Sequence, residues 1–286
     1  MPIEIRPLSA VLGAEVVGVD LSRPLDDNTF ARIHEAHLEH LVLAIRDQDL
    51  TPEQHIAFSR RFGELDIHVF DQFLLPGHPE ILVVSNKKVD GRAVGLQDAG
   101  NHWHSDISYR EFPSLGSLLY ALEIPPDGGD TLFANMYAAY ETLPEETKAR
   151  IDGLEAVHGY GQIFKLSDEE GGSARQPLSE EQKAKIPDVV HPVVRTHPET
   201  GGKALYVSPG LTVAIAGMDD DESRALLAEL HEHSTKPQFV YRHRWRRHDV
   251  LFWDNRCTMH LATGYDPQFT RHMHRTTVKG DRPVRP

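Results

Sequence analysis

Cysteine is almost missing from this sequence: among 286 residues Cys257 is alone, so an internal disulfide framework is excluded and a reducing compartment is expected. Long apolar runs are missing too. No stretch approaches the roughly 18 apolar residues of a membrane span. The opening MPIEIRPLSA has no basic segment followed by an apolar core, which argues against a secretory signal and for a cytoplasmic protein. Positive charge is in short supply, 30 Lys and Arg against 43 Asp and Glu. The resulting formal charge of -13 disfavours a nucleic-acid or anionic-membrane surface. A small anionic substrate stays open, because a pocket can be locally basic in an acidic protein. Internal repeats and low-complexity linkers are absent as well, and the chain reads as a single domain over 1–286.

What is present is a strand-rich pattern. Short strands are expected around Ile3–Ile5, Ala14–Val19 and LVLAI. Between them DDNTFARIHEAHLEH reads as a helix with Asx residues at its start. A second helix begins at LTPEQHIAFSRRFG, with Thr51 as N-cap, Pro52 first in the helix, Gln54 completing a capping box and Gly63 as the stop. From Ile81 onward come ILVVSN, LGSLLYAL, DTLFAN, HPVVRT, ALYVS, QFVYRHRW, DVLFWD and RHMHRTTV, punctuated by Gly, Pro, Asn and Asp. Helices are expected over Met136–Gly153 and Asp219–Ser234. Many short strands with scattered helices predict a mainly β fold with flanking helices (α+β), a sandwich or barrel rather than a doubly wound parallel sheet. The polar, Gly- and Pro-containing segment 159–188 is long for a structureless loop and is read as a possible lid.

Histidine is abundant, at 18 residues, and two of them fall in NHWHSDISY. If that stretch is extended, His104 and Asp106 share one face, because strand side chains repeat every two residues. His102 has the same parity. His102, His104 and Asp106 form an H-x-H-x-D run like that of zinc hydrolases, although Ile107 stands where that pattern continues with another His. The other possibility uses the distant WDNRCTMHLATGYDPQFTRHMHRTTV. His104, Asp106 and His260 would supply two imidazoles and a carboxylate to one face of an ion, leaving positions open as in non-heme Fe(II) oxygenases. Arg271 and Arg275 are spaced to share a strand face, with His272 and His274 on the other, and two buried guanidinium groups require anions.

These motifs together carry a resemblance. GAEVVGVDLSRPLDDNTF, IRDQDLTPEQ, RRFGELDIH, WHSD, GGDTLFAN, HPVVRTHPETG, WDNRCTMH and RHMHRTTVKGDRPV, in that order, resemble the TauD/TfdA family of Fe(II)- and 2-oxoglutarate-dependent dioxygenases, and within it the taurine dioxygenase branch. The resemblance implies a double-stranded β-helix (jelly-roll, cupin-like) core, with Fe(II), 2-oxoglutarate and O2 as cofactor and co-substrates. It implies that His104, Asp106 and His260 ligate iron and that Thr131 and Arg271 hold the distal carboxylate of 2-oxoglutarate. Arg275 and His68 would grip a sulfonate, with Phe164 as an aromatic wall. The pattern is departed from where taurine's ammonium would lie. Asp71 stands in place of a Tyr, Gly100 in place of an Asn that a one-residue shift would supply from Asn101, and Leu211 in place of an aromatic residue. The implied substrate is taurine or a related alkyl sulfonate, released as sulfite and an aldehyde, with an alkyl sulfate or an aryloxyalkanoate as the alternative. A homodimer or homotetramer is the implied assembly.

Overall fold

A computed structural model describes residues 3–97, 100–162 and 179–286. In chain order the first elements are β1 (Glu4–Pro7), β2 (Ala14–Val17), α1 (Asp27–His40), β3 (Val42–Ile45) and α2 (Pro52–Ser59). Next come β4 (Leu74–Leu75), β5 (His78–Ser85), the hairpin β6 (Lys88–Val89) and β7 (Arg92–Ala93), β8 (Ser114–Glu123) and β9 (Thr131–Asn135). Helices α3 (Met136–Glu141) and α4 (Glu145–Ile151) lead to β10 (Glu155–His158) and, later, α5 (Glu180–Lys185). Strands β11 (Val189–Pro192), β12 (Val194–Thr196), β13 (Lys203–Leu205) and β14 (Thr212–Ile215) precede α6 (Asp220–Ser234). The chain ends with β15 (Val240–His243), β16 (Val250–Asp254), β17 (Thr258–Ala262) and β18 (His272–Lys279).

Eight strands form the main sheet in the order β1-β2-β3-β16-β8-β18-β5-β4, and β15-β9-β17 form a smaller one. Side-chain alternation shows why the main sheet is buried on both sides. On β16, Leu251 and Trp253 enter one core cluster, whereas Val250 and Phe252 enter another. On β8, Leu119 and Ala121 divide from Leu118 and Tyr120 in the same way. The first cluster takes in Phe133 and Ala134 of β9 and Met259 of β17, so it lies between the two sheets. The second takes in Ile33 and Ala36 of α1 and Ile56 and Phe58 of α2, so these helices cover the outer face. This is a jelly-roll sandwich with helices on its back, and its central strands β3 and β16 read as near-continuous apolar runs because neither face meets water.

Both N-terminal helices begin on their expected caps. Asp26 accepts from Thr29 N–H, and Thr51 with Gln54 closes a capping box. The second helix stops at Ser59, earlier than the Gly63 signal. The expected helix over Met136–Gly153 is two helices, because Pro144 has no N–H to give to the carbonyl four residues back and starts a new turn instead. ALYVS pairs only as far as Leu205, and HPVVRT is split at Val193 into β11 and β12. NHWHSDISY is not a strand. His104 makes a single bridge to His260, and the chain turns from Asp106 onward. Among the described residues, no helix is long and apolar enough to cross a membrane.

Candidate metal and co-substrate site

Three ligand types converge where β17 meets the turn after His104. His104 and His260 exchange backbone hydrogen bonds of 3.0 and 2.8 Å, which brings their rings to a centroid separation of 4.1 Å. The chain then turns through Ile107, a β-branched residue at φ 59 in the sparsely populated left-handed region. That turn swings Asp106 under the two rings. One ligand atom from each of His104, Asp106 and His260 lies within 4.8 Å of the others, and all three residues are buried. Convergence therefore comes from a bridge followed by a tight turn, not from the alternating face of an extended strand. His102 is not part of this cluster; its backbone carbonyl meets His104 Nδ1 at 2.8 Å and so orients the ring. That contact leaves His104 Nε2 facing the carboxylate, 3.6 Å from Asp106 Oδ1, while His260 Nε2 lies 3.7 Å from Oδ2.

The protonation states suit a divalent ion. Burial alone would raise the Asp106 carboxyl, but Arg275 above all, with His260 and His104, holds it well below the usual carboxylate range. Burial, and next the neighbouring His104, push His260 well below its ordinary value, so its ring stays neutral. A neutral imidazole and an ionised carboxylate are the forms that bind metal. Two nitrogens and one oxygen on one side of an ion, inside a buried pocket, fit ferrous iron with room for further ligands. A second buried grouping, His197, Asp254 and Cys257, is chemically different. There Asp254 is gripped by Arg256 and His197, and Glu199 and Thr200 N–H occupy His197 Nδ1, so it is a closed ionic network.

Two lobes open from the triad. One is lined by Thr131, Arg271, Val84, Leu119 and Trp253 and reaches His260 and Arg275. Arg271 directly precedes β18 and is almost wholly buried, its Nε donating to Gly129 O at 3.2 Å. Gly129 is at φ 66, and a Cβ there would lie 3.3 Å from Arg271 Cδ, so the Gly128-Gly129 turn is what seats the arginine. Burial draws the Arg271 guanidinium down to about 10, with Tyr265 and Asp130 offsetting little, and no carboxylate among the described residues is in ion-pair range of it. Thr131 Oγ1 accepts from Trp245 Nε1 at 3.0 Å, which turns its own hydrogen outward as a donor. A buried cation beside a hydroxyl donor is an anion seat.

The other lobe is lined by His68, Leu96, Ile107, Tyr109, Tyr160, Leu211 and Arg275. Gly100, at φ 85, lines both lobes, and a Cβ there would lie 3.2 Å from His104 Cε1. Arg275 Nη1 donates to Asp106 Oδ1 at 2.8 Å while its buried Nε has no partner. His68 Nδ1 accepts from Phe70 N–H at 3.2 Å, which fixes the neutral ring's proton on Nε2. Asp71 and Asn101 are exposed and outside this lining. Asp71 opens a short 3-10 turn, and of the neighbours Gly100 and Asn101 it is Gly100 that lines the lobe. Phe164, with 163–178 of the segment expected as a lid, lies outside the described residues; its flank contributes Tyr160. The sequence reading missed Tyr109, Tyr160, Ile107 and Leu96, although Tyr109 ends the very stretch that drew attention. A larger groove of about 740 Å³ beside Phe112 and Ile186 holds none of the three candidate ligands.

Known proteins resemble this chain over nearly its whole length. The family model described as taurine catabolism dioxygenase TauD, TfdA family matches residues 4–277. The alpha-ketoglutarate-dependent 2,4-dichlorophenoxyacetate dioxygenase of Cupriavidus pinatubonensis is 36% identical, over 98% of this chain and 99% of its own. The alkylsulfatase of Acinetobacter baylyi is 33% identical, over 98% and 86%. A crystal structure of a taurine dioxygenase from Burkholderia xenovorans superposes with a TM-score of 0.83 at 39% identity, covering 100% of this chain and 92% of that one.

Proposed function

The chain belongs to the TauD/TfdA family and is a non-heme Fe(II)- and 2-oxoglutarate-dependent dioxygenase, and from that premise we propose that it hydroxylates an amine-free organic anion with an apolar body. Aryloxyalkanoates come first in this reading, with alkyl sulfates and alkyl sulfonates next. The observation that carries it is the composition of the outer lobe. Leu96, Ile107, Tyr109, Tyr160 and Leu211 offer apolar and aromatic surface, Arg275 offers one cation, and the only carboxylate among the described lining residues is Asp106. An aromatic or alkyl body is matched there, and an acidic head is matched by Arg275 and His68. Among the described lining residues, taurine's ammonium would meet no carboxylate but Asp106, which Arg275 already holds, and Asp71 lies outside them.

The division of labour follows from the residues. His104, Asp106 and His260 hold the ion. Arg271 and Thr131 hold the distal carboxylate of 2-oxoglutarate and so point its 2-oxo acid end toward the triad. When bound, Fe(II) supplies activation of O2 coupled to oxidative decarboxylation of 2-oxoglutarate to succinate and carbon dioxide. Arg275 and His68 fix the substrate's head, which places the neighbouring C–H bond nearest the triad. Tyr109, Tyr160 and Leu211 exclude water from that bond. One oxygen atom ends in succinate and the other in the hydroxylated substrate. Where the hydroxylated carbon also bears an ether oxygen or sulfonate, the product splits to a phenol or sulfite and a carbonyl compound.

Succinate release is measured with phenoxyacetates, alkyl sulfates, alkyl sulfonates and taurine, each with and without Fe(II) and O2. The expected result is iron- and oxygen-dependent release, with kcat/KM for an amine-free anion at least about tenfold above taurine. That ratio corresponds to about 1.4 kcal/mol, a modest price for an unpaired ammonium. Taurine matching the best amine-free substrate would overturn the substrate class. Turnover that ignores both oxygen and 2-oxoglutarate would replace the oxygenase with a hydrolase.

A further inference from the structure

Asn255, one residue beyond β16, is completely buried and spends every hydrogen-bonding position of its side chain. Oδ1 accepts from Asp106 N–H at 3.1 Å and from Trp253 Nε1–H at 3.0 Å. Nδ2 donates to Ser114 Oγ at 3.0 Å and to Ser117 Oγ at 3.3 Å. Both partners at Oδ1 are obligate donors, so chemistry decides which end of the amide is oxygen. The backbone of the same residue reaches the ligand loop as well, its carbonyl accepting from Ser105 Oγ at 2.6 Å.

The consequence lies at Ser117. With a hydrogen arriving from Asn255, the Ser117 hydroxyl directs its own hydrogen to Asp106 Oδ2 at 2.7 Å. Ser114 receives an equivalent hydrogen but lies within reach of the carbonyls of Gly116 and Val278, at 3.1 and 3.2 Å, and does not touch Asp106. One node therefore feeds two hydroxyls, of which only one touches the carboxylate. The carboxylate needs this support. Asp106 stands in a turn beside a strained Ile107, so no strand ladder fixes it.

We propose that Asn255 and Ser117 are positioning residues for the metal carboxylate. Asn255 ties down the Asp106 backbone and sets the polarity of Ser117, and Ser117 holds Oδ2 while Arg275 holds Oδ1. The proposal rests on the reading of Asp106 as a metal ligand. It explains why residue 255 is an amide: an Asp of the same shape would accept from Ser117, turn its hydrogen away from Asp106 and bury a second negative charge nearby.

The test is titration of metal-free protein with Mn(II) alone, followed by calorimetry, with melting curves as the control for folding. Ser117→Ala is expected to weaken Mn(II) binding about tenfold, the lower end of what supporting partners of a metal ligand contribute. Ser114→Ala, which removes the same hydroxyl from the same node's other branch, is expected to stay within about twofold of the parent. At saturating Fe(II), Ser117→Ala is expected to lower kcat and leave KM for 2-oxoglutarate within about twofold, since Arg271 and Thr131 are untouched. Equal Mn(II) affinities for the two variants, whether both parental or both weakened, would overturn the proposal. Asn255→Asp, if it folds, is expected to bind Mn(II) no better than Ser117→Ala, and parental affinity would overturn the proposal; if it does not fold, the serine pair decides. A parent protein that binds no Mn(II) would instead overturn the ligand reading of Asp106, and this inference with it.

Discussion

Arg271 carries a charge into a place where, among the described residues, no carboxylate meets it. Desolvating a guanidinium is expensive, and the fall of its pKa to about 10 reports the expense. The folded protein without co-substrate bears that strain, and an arriving carboxylate relieves it. Arg271→Leu should therefore be at least as stable as the parent in the absence of 2-oxoglutarate. The parent should gain about 2.7 kcal/mol at a hundredfold excess over Kd, and the variant should gain nothing. Thermal melts with and without 2-oxoglutarate check both halves; a variant that still responds to the ligand would remove Arg271 from the site. At this scale the sequence was most legible where residue type itself carries the chemistry. Two imidazoles, a carboxylate and two guanidinium groups are residue types able to hold a metal and an anion, and the fold brings them to one pocket. Tyr109 and Tyr160 announce nothing, since a tyrosine is as much at home in a core. The place of Asp71 was not legible because counting three residues beyond His68 presumes the shape of a loop; the residue is exposed at the start of a 3-10 turn.

Helix α2 shows the same contrast one level up. Its start was readable because a capping box with proline in the first turn is a local signal, satisfied by atoms within three residues. Its end was not, since the chain leaves the helix at Arg60, three residues before Gly63. Helix α2 lies against β18 on the side of Thr276, whose hydroxyl meets Ser59 at 2.6 Å and His55 at 3.3 Å. Arg275, next in the chain, points the other way, into the pocket. Thr51→Ala should thus cost about 1 kcal/mol of stability and leave KM for 2-oxoglutarate and substrate unchanged. Denaturant melts and steady-state kinetics check this, and a tenfold rise in either KM would mean that the back of the sheet is coupled to the site. Strand β17 escaped the sequence reading because its five residues, Thr258–Ala262, include a buried histidine where alternation expects an apolar side chain. His260 breaks the hydrophobic pattern because it faces His104 and Asp106, so the feature that hides the strand is the one that makes it a candidate ligand strand. The split at Pro144 was legible in principle, since proline forbids one uninterrupted helix.

The molecule as a whole folds around uncharged histidines. Burial holds His37, His55 and His158 down to about 3, and His191, His231 and His274 to about 4. In each case the folded value lies below the unfolded one, near 6.5, so the unfolded chain takes up protons that the folded chain refuses. Stability from this source is intact above about pH 6.5 and drains away as pH falls, until the folded-state values near 3 and 4 are reached. A fully buried histidine removes up to about 1.4 kcal/mol per pH unit in that window. His37, His55 and His158 together would remove up to about 6 kcal/mol by pH 5, comparable with the whole stability of a typical domain. Asp106 and Asp254 do not add to the slope there, because both stay ionised well below the usual carboxylate range. Metal-free protein should accordingly lose stability steeply between pH 7 and pH 5, measured by urea unfolding at fixed temperature. His37 isolates the cause. Its ring stacks on Phe252 at 3.8 Å and neither of its nitrogens has a partner, so His37→Phe keeps the stack and removes the titration. The variant should follow a slope shallower by about one proton. An unchanged slope would show that His37 keeps its charge inside the fold, and the acid sensitivity would then belong to the other histidines.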